Sequence, residues 1–251
     1  MINVTKKLIR FILQSKNNIS KDRSLWPPEW TKIEYKIYDR TIGAPLRPED
    51  VRMATPPNDF VAFQSLLSRR KSCRDFTNIT LRAEDLLNLL AISAGTLLNE
   101  EGRRAYPSGG MLYPVNVYYV GAILLSNMKL QRRVYHFSPF DNTLTCFKVL
   151  EESARLSALI ATSYEYVDSA SGIIVFTVTP KRNVPKYGWL GVRLGLVEVG
   201  AIIQNIYLAS TALQLKCCAI SGFRGEVVDE LLDIDGLNEM SVATVAIGGG
   251  K

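Results

Sequence analysis

From Trp189 to Leu215 the chain reads WLGVRLGLVEVGAIIQNIYLASTALQL, apolar almost without interruption and long enough to cross a bilayer. Such a segment has few destinations: a membrane, or the middle of a protein core. Arg193, Glu198, Gln204 and Asn205 lie inside it, and each charge near a bilayer centre costs about 2.5–3.5 kcal/mol even on a lenient insertion scale. The expectation is a long helix inside protein rather than in a membrane. Being apolar on most faces, it needs cover on every side, as the central core helix or as part of a homodimer interface.

The rest of the 251 residues can supply that cover, with 47% hydrophobic and 22% charged, the balance of a soluble globular chain. Thirty Lys and Arg against 24 Asp and Glu give a net charge of +6. That favours anionic ligands but is too mild, and too scattered along the chain, to imply nucleic acid. No zinc-finger spacing or RNP-like run occurs. Cys73, Cys146, Cys217 and Cys218 show neither CxxC spacing nor the density of a secreted disulfide scaffold, so they read as reduced, packed thiols in cytoplasm. The single histidine, His136 in the strand-like VYHF, excludes a His-rich metal site and argues against a Ser-His-Asp triad. The N-terminal MINVTKKLIRFILQ carries cations within its apolar stretch and no small-residue cleavage site, so it reads as a short amphipathic helix rather than a signal peptide.

Residues 1–57 form a polar, proline-bearing extension, including WPPEWTKIEYKIYDR and ending at Pro56-Pro57; residues 58–251 form the main domain. Asp59 is the expected N-cap of a helix through VAFQSLLSRR, and Thr80 of a second, RAEDLLNLLAISAG, with Glu84 and Asp85 in its first turn. A glycine-rich loop and the strand VNVYYVGAILL follow. RVYHF and TLTCFKV flank the turn SPFDN as a hairpin. A helix is expected from about Glu151, then the strand GIIVFTV, a polar loop and the long helix. KCCAI (strand), GEVVDELL (helix) and SVATVAIG (strand) complete the chain. Helices and strands mix without a regular βαβ rhythm, so the class is α+β.

Two stretches carry chemistry. RRKSCRDF, Arg69 to Phe76, gathers guanidinium forks, an ammonium and a hydroxyl in one turn-sized region, which suits a phosphate; a solvated basic turn is the alternative. RRAYPSGGMLYP, residues 103–114, places Gly109 and Gly110 where a backbone can approach a flat ligand and offer N–H donors. Neither stretch is a GxGxxG or a GK[ST] phosphate loop.

RRKSCRDF, then PSGGMLYP, EVGAIIQNIYLASTALQL, ISGF and the terminal VAIGGG together resemble the flavin-dependent nitroreductase superfamily, over roughly residues 60–251. Within it, PPEW and YKIY in the extension, VYHFSPFDNTL in the hairpin and PKYG before the long helix resemble the SagB-type, azole-forming dehydrogenases. The resemblance implies a nitroreductase-like fold with a mixed, mostly antiparallel sheet flanked by helices, and FMN as cofactor. It implies that Arg70, Ser72 and Arg74 hold the FMN phosphate and ribityl chain, with Arg69 and Lys71 as electrostatic support. Ser108 and Gly109 would lie against the isoalloxazine. Gln204 and Asn205 match a further family position, the N–H groups of the Ser221-Gly222 turn would approach flavin N5, and Lys251 would reach the phosphate from the other end.

The same resemblance makes Lys186 and Tyr187 the catalytic pair. Turning a thiazoline or oxazoline into the azole removes a proton and a hydride from adjacent ring carbons, so a base is needed. Lysine serves as one only where its surroundings disfavour the charged form, and tyrosine can relay or orient the proton. Arg193 departs from the family pattern; it either pairs with Glu198 or faces a cavity. Gly110 stands where alanine is expected. The implied activity is FMN-dependent oxidation of azolines in a ribosomally made precursor peptide, in a cytoplasmic homodimer with cyclodehydratase components as partners and no metal, nucleic acid or membrane. A generic NAD(P)H-dependent nitroreductase and a non-enzymatic scaffold of a modification complex are the alternatives.

Overall fold

The computed structural model describes residues 57–97, 102–125, 130–159 and 165–249. The expectations for the extension, Pro57 apart, and for Lys251 lie outside the described residues. Eight strands are present among those described: β1 (Leu81–Arg82), β2 (Val115–Gly121), β3 (Ile123–Leu124), β4 (Arg133–Ser138), β5 (Thr143–Val149), β6 (Gly172–Val178), β7 (Lys216–Ile220) and β8 (Met240–Gly248). Six of them form one sheet in the order β5-β4-β2-β6-β8-β7, antiparallel throughout, while β1 and β3 make a separate parallel pair. The helices are α1 (Asn58–Arg69), α2 (Ala83–Ala94), the single turn α3 (Val184–Tyr187), the long α4 (Trp189–Ala212) and α5 (Gly225–Leu231).

β6 explains the layering. Every residue of GIIVFTV is buried, as a strand covered on both faces requires. Successive side chains then serve opposite cores. Ile174, Phe176 and Val178 join the cluster beneath α2 and α4, while Ile173 and Val175 join the cluster beneath α5. α4 reaches the sheet closely because of Gly195, where a β-carbon would lie 2.9 Å from Val178 Cγ1. Val192, Val199, Ile202 and Ile206 line its buried face, and each fully buried aliphatic contributes about 1.5–3 kcal/mol. Although the helix is long and apolar enough to cross a membrane, it packs in the core. It is not covered all round, however: Leu190, Leu196 and Val197 are 41%, 41% and 64% exposed. α1, beside α4, buries none of its residues, and Phe60, Val61, Phe63 and Leu67 stand open on it.

Several expected boundaries move. α1 starts at Asn58 with Pro57 as N-cap, so Asp59 lies in the first turn instead of capping it. α2 starts at Ala83 because Leu81 and Arg82 are held as strand β1; Arg82, not Thr80, is the N-cap and makes a two-bond pair with Asp85 at 2.8 Å. VNVYYVGAILL breaks at Ala122, whose carbonyl accepts from the Tyr119 hydroxyl. No helix starts near Glu151 among the described residues. Instead the Asp168 carboxylate takes the N–H and hydroxyl of Ser157 at 2.9 and 2.6 Å, capping a short 3-10 turn at Leu156–Leu159. α4 ends at Ala212, short of Leu215, because Gln214 adopts φ +58°.

Candidate functional site

The PSGG loop is tied to the deepest helix. Ser108 Oγ donates to Glu198 Oε1 of α4 at 2.7 Å and accepts the N–H of Tyr113 at 2.9 Å. Gly109 and Gly110 form a 3-10 turn in which Gly110 has φ +63°, a conformation that glycine adopts without a steric cost. Glu198 is 3% exposed, and its Oε2 has no partner among the described residues. Burial raises its pKa above the ordinary carboxylate range, against the opposing pull of the Ser108 hydroxyl, the Gly109 N–H and the charge of Arg104.

α3 carries Lys186 and Tyr187 to the same loop. Both of their N–H groups bond to the Asn183 carbonyl, at 3.2 and 2.9 Å, and the turn stops at Gly188 with φ +56°. Asn183 is buried and holds the start of α4 through its Nδ2, which donates to the Gly191 carbonyl at 2.7 Å. The two side chains converge over Gly110: a β-carbon placed there would lie 2.7 Å from Lys186 Nζ and 2.7 Å from Tyr187 Oη. Tyr187 also reaches Gly109, where a β-carbon would lie 3.7 Å from its ring. An exposed lysine amine, a phenol and a side-chain-free turn therefore share one spot.

The RRKSCR stretch lies elsewhere on α4. The chain leaves the helix at Arg70. Arg70 stands over the Tyr207 ring at 5.3 Å, and Ser72 Oγ shares a 2.9 Å hydrogen bond with the Tyr207 hydroxyl, which accepts the Ala219 N–H at 2.8 Å. Arg74 bonds to the Tyr166 hydroxyl. Arg69 and Lys71 line a cavity of about 270 Å³ with Lys216. The Cys73 N–H anchors the loop to the Cys217 carbonyl of β7 at 2.9 Å. Glu198 and Tyr207 are nine residues apart, about 13 Å along a helix.

Other expected positions sit apart from these two clusters. Asn205 is spent on structure, its Nδ2 donating to the carbonyls of Ser93 and Ala105 at 3.1 and 3.0 Å, while Gln204 is exposed on the same helix. Ser221 is exposed and Gly222 half-buried just beyond β7. Arg193 is exposed, and among the described residues no ion pair joins it to Glu198, which turns to Ser108 instead. Sequence reasoning passed over Tyr207 and gave Glu198 no role of its own. The signal was present in both cases, because a polar tip inside an apolar run must find a partner.

Residues 67–249 match the Nitroreductase family, and the chain belongs to it; its enzyme class is oxidoreductase. It is 25% identical over 187 residues, 74% of this chain and 91% of the relative, to a protein of Methanocaldococcus jannaschii named as a candidate nitroreductase. It is 26% identical over 134 residues to the microcin B17-processing protein McbC of Escherichia coli, spanning 53% of this chain and 49% of McbC. The E. coli microcin synthetase McbBCD complex with truncated pro-MccB17 bound contains a chain with the same fold, at 20% identity and a TM-score of 0.64, covering 84% of this chain and 79% of that one. The fold is thus the expected nitroreductase-like α+β arrangement around a long core helix.

Proposed function

We propose that this protein binds FMN and oxidises thiazoline or oxazoline rings of a ribosomally made peptide to thiazoles or oxazoles. The single observation that carries the reading is the convergence of Lys186 and Tyr187 over Gly110, beside the Ser108–Gly109 turn. The likeness to McbC, a microcin-processing protein, supports the SagB-type branch over a generic one.

The residues present fit the cofactor. Arg70, Ser72 and Arg74, with Arg69 and Lys71 behind them, offer the donors and charge that a phosphate requires. Gly109 and Gly110 lack the β-carbons that would crowd Leu194, Lys186 and Tyr187. FMN, when bound, supplies the acceptor for two electrons, which dioxygen then takes up. Lys186 Nζ is exposed in this structure, so its use as a base depends on bound ligand excluding water from it; it would then take the proton from one ring carbon as hydride leaves its neighbour, and the Tyr187 hydroxyl would orient or relay that proton. Glu198 holds Ser108, and through it the turn that positions the substrate ring.

A second copy of the chain would cover the exposed apolar residues of α1 and α4. The precursor peptide and the cyclodehydratase subunits are the expected partners, in cytoplasm.

The test begins with the absorbance of gently purified protein, which should show oxidised flavin. A peptide carrying one thiazoline should then lose two hydrogens by mass spectrometry under air without NAD(P)H. Rapid NAD(P)H consumption with no change in the azoline peptide would favour a generic nitroreductase. Colourless protein that gains no activity with added FMN would favour a scaffold.

A further inference from the structure

A second cavity, of about 480 Å³, lies between the PSGG loop and the β4–β5 hairpin, lined by Arg104, Tyr106, Tyr113, His136, Phe140 and Arg182 among others. Arg104 is only 8% exposed. One guanidinium nitrogen donates to the Tyr106 hydroxyl at 3.1 Å, and the group stands 4.4 Å from the Tyr113 ring centre and 5.5 Å from that of Phe140. Among the described residues no carboxylate makes an ion pair with it. A charge taken out of water costs several kcal/mol unless paired, and aromatic faces return only about 0.5–2 kcal/mol. Glu198, the carboxyl that acts on it from a distance, makes no ion pair with it and bonds to Ser108 instead. Most of the five guanidinium N–H donors remain for a ligand.

The surroundings define that ligand. Arg182 stands at the exposed rim, held by its NH1 donating to the Tyr113 carbonyl at 3.0 Å. His136 is half-buried and its pKa is lowered by burial, so it offers a hydrogen bond rather than a charge. A planar guanidinium between aromatic walls matches a planar, singly charged carboxylate. The two cations also belong to the segments that carry the proposed chemistry: Arg104 precedes Ser108–Gly110 in one loop, and Arg182 precedes Lys186 and Tyr187 in the other.

We propose that this cavity is a carboxylate subsite, taking an acidic side chain or the C-terminal carboxylate of the peptide whose ring is presented to Lys186 and Tyr187. The peptide assignment rests on the proposed function; capture of a carboxylate does not.

The test titrates the FMN-supplemented full chain with acetyl-Gly-Glu-Gly-amide, acetyl-Gly-Gln-Gly-amide and acetyl-Gly-Gln-Gly with a free C-terminus, by calorimetry. At least one acid should bind about tenfold more tightly than the all-amide peptide, the worth of one charge-assisted bond. Which acid does so separates side chain from terminus. Arg104→Gln should bring that preference down to about unity, and Arg104→Lys should restore part of it. If Arg104→Gln does not fold by circular dichroism, Arg182→Gln at the rim replaces it, with an expected loss of about threefold. Equal binding of acids and amide by the native chain, or a full preference in whichever variant folds, overturns the subsite. Azoline oxidation without any acid preference removes the subsite alone. Acid preference without azoline oxidation keeps the subsite and removes the peptide reading.

Discussion

The Ser108 hydroxyl bonds to Glu198 Oε1 at 2.7 Å, and this contact couples the PSGG turn to the buried face of the long helix α4. Its strength depends on the protonation of a carboxyl whose pKa burial has raised. Between the ordinary carboxylate value and the raised native one, the folded chain holds a proton that the unfolded chain has released. The contribution of Glu198 is therefore fully present below that window and declines as pH rises through it. Glu198→Gln lacks this titration. Thermal melts of both proteins from about pH 4 to pH 8 should show the advantage of the native chain over the variant shrinking with rising pH; a constant or growing advantage would sink the assignment.

Gly110→Ala tests the convergence of Lys186 and Tyr187 directly. The new methyl would meet the far end of a flexible lysine and a phenol hydroxyl, so the pair moves while the fold survives. The left-handed φ of +63° costs about 1–2 kcal/mol for alanine. Stability should drop by about that amount, flavin should be retained, and kcat on an azoline peptide should fall at least about tenfold.

Lys186→Ala removes the base and leaves the turn, whose hydrogen bonds come from backbone. The variant should remain yellow and melt within about 0.5 kcal/mol of the native chain, since the side chain is exposed. Its kcat should fall by about 10²–10⁴. Full turnover would return Lys186 to the status of a surface lysine.

The elements legible in the sequence were those whose pattern is decided locally. GIIVFTV and the hairpin of RVYHF with TLTCFKV carry their periodicity in the residues themselves, and both form as expected. The helix expected from Glu151 failed because Asp168, eleven residues beyond Ser157, competes for that backbone, a partner that no local window contains. The site was half legible. Resemblance pointed to Lys186 and Tyr187, but their meeting over Gly110 depends on α3 being folded back on the PSGG loop. Asn205, placed by resemblance alone, has an Nδ2 that donates to the carbonyls of Ser93 and Ala105, partners that no local window contains.

The four thiols should separate by reactivity. Cys217 and Cys218 are buried, and burial pushes Cys217 up to about 11, so little of it is thiolate at neutral pH. Cys146 is exposed and Cys73 intermediate. Iodoacetamide followed by peptide mapping should modify Cys146 first, Cys73 more slowly, and the adjacent pair only in denaturant. Fast labelling of Cys217 in the folded chain would contradict the packing of β7 against α4.

Tyr207 joins the RRKSCR stretch to the sheet. Its hydroxyl accepts from the Ala219 N–H, which leaves its own hydrogen for Ser72 Oγ. Tyr207→Phe keeps the ring beneath Arg70 but deprives both partners at once, and the part-buried Ala219 N–H loses its acceptor. Ser72→Ala removes only the Ser72 bond and leaves the Ala219 contact intact. Urea denaturation should therefore show a loss of about 1–2 kcal/mol for Tyr207→Phe and well under half of that for Ser72→Ala. FMN affinity should fall in both, by about tenfold, because Tyr207→Phe frees the Ser72 side chain from its set position and Ser72→Ala removes the hydroxyl itself. Equal stability losses in the two variants would mean that Tyr207 acts on the loop alone; an undiminished FMN affinity would mean that Ser72 faces no phosphate.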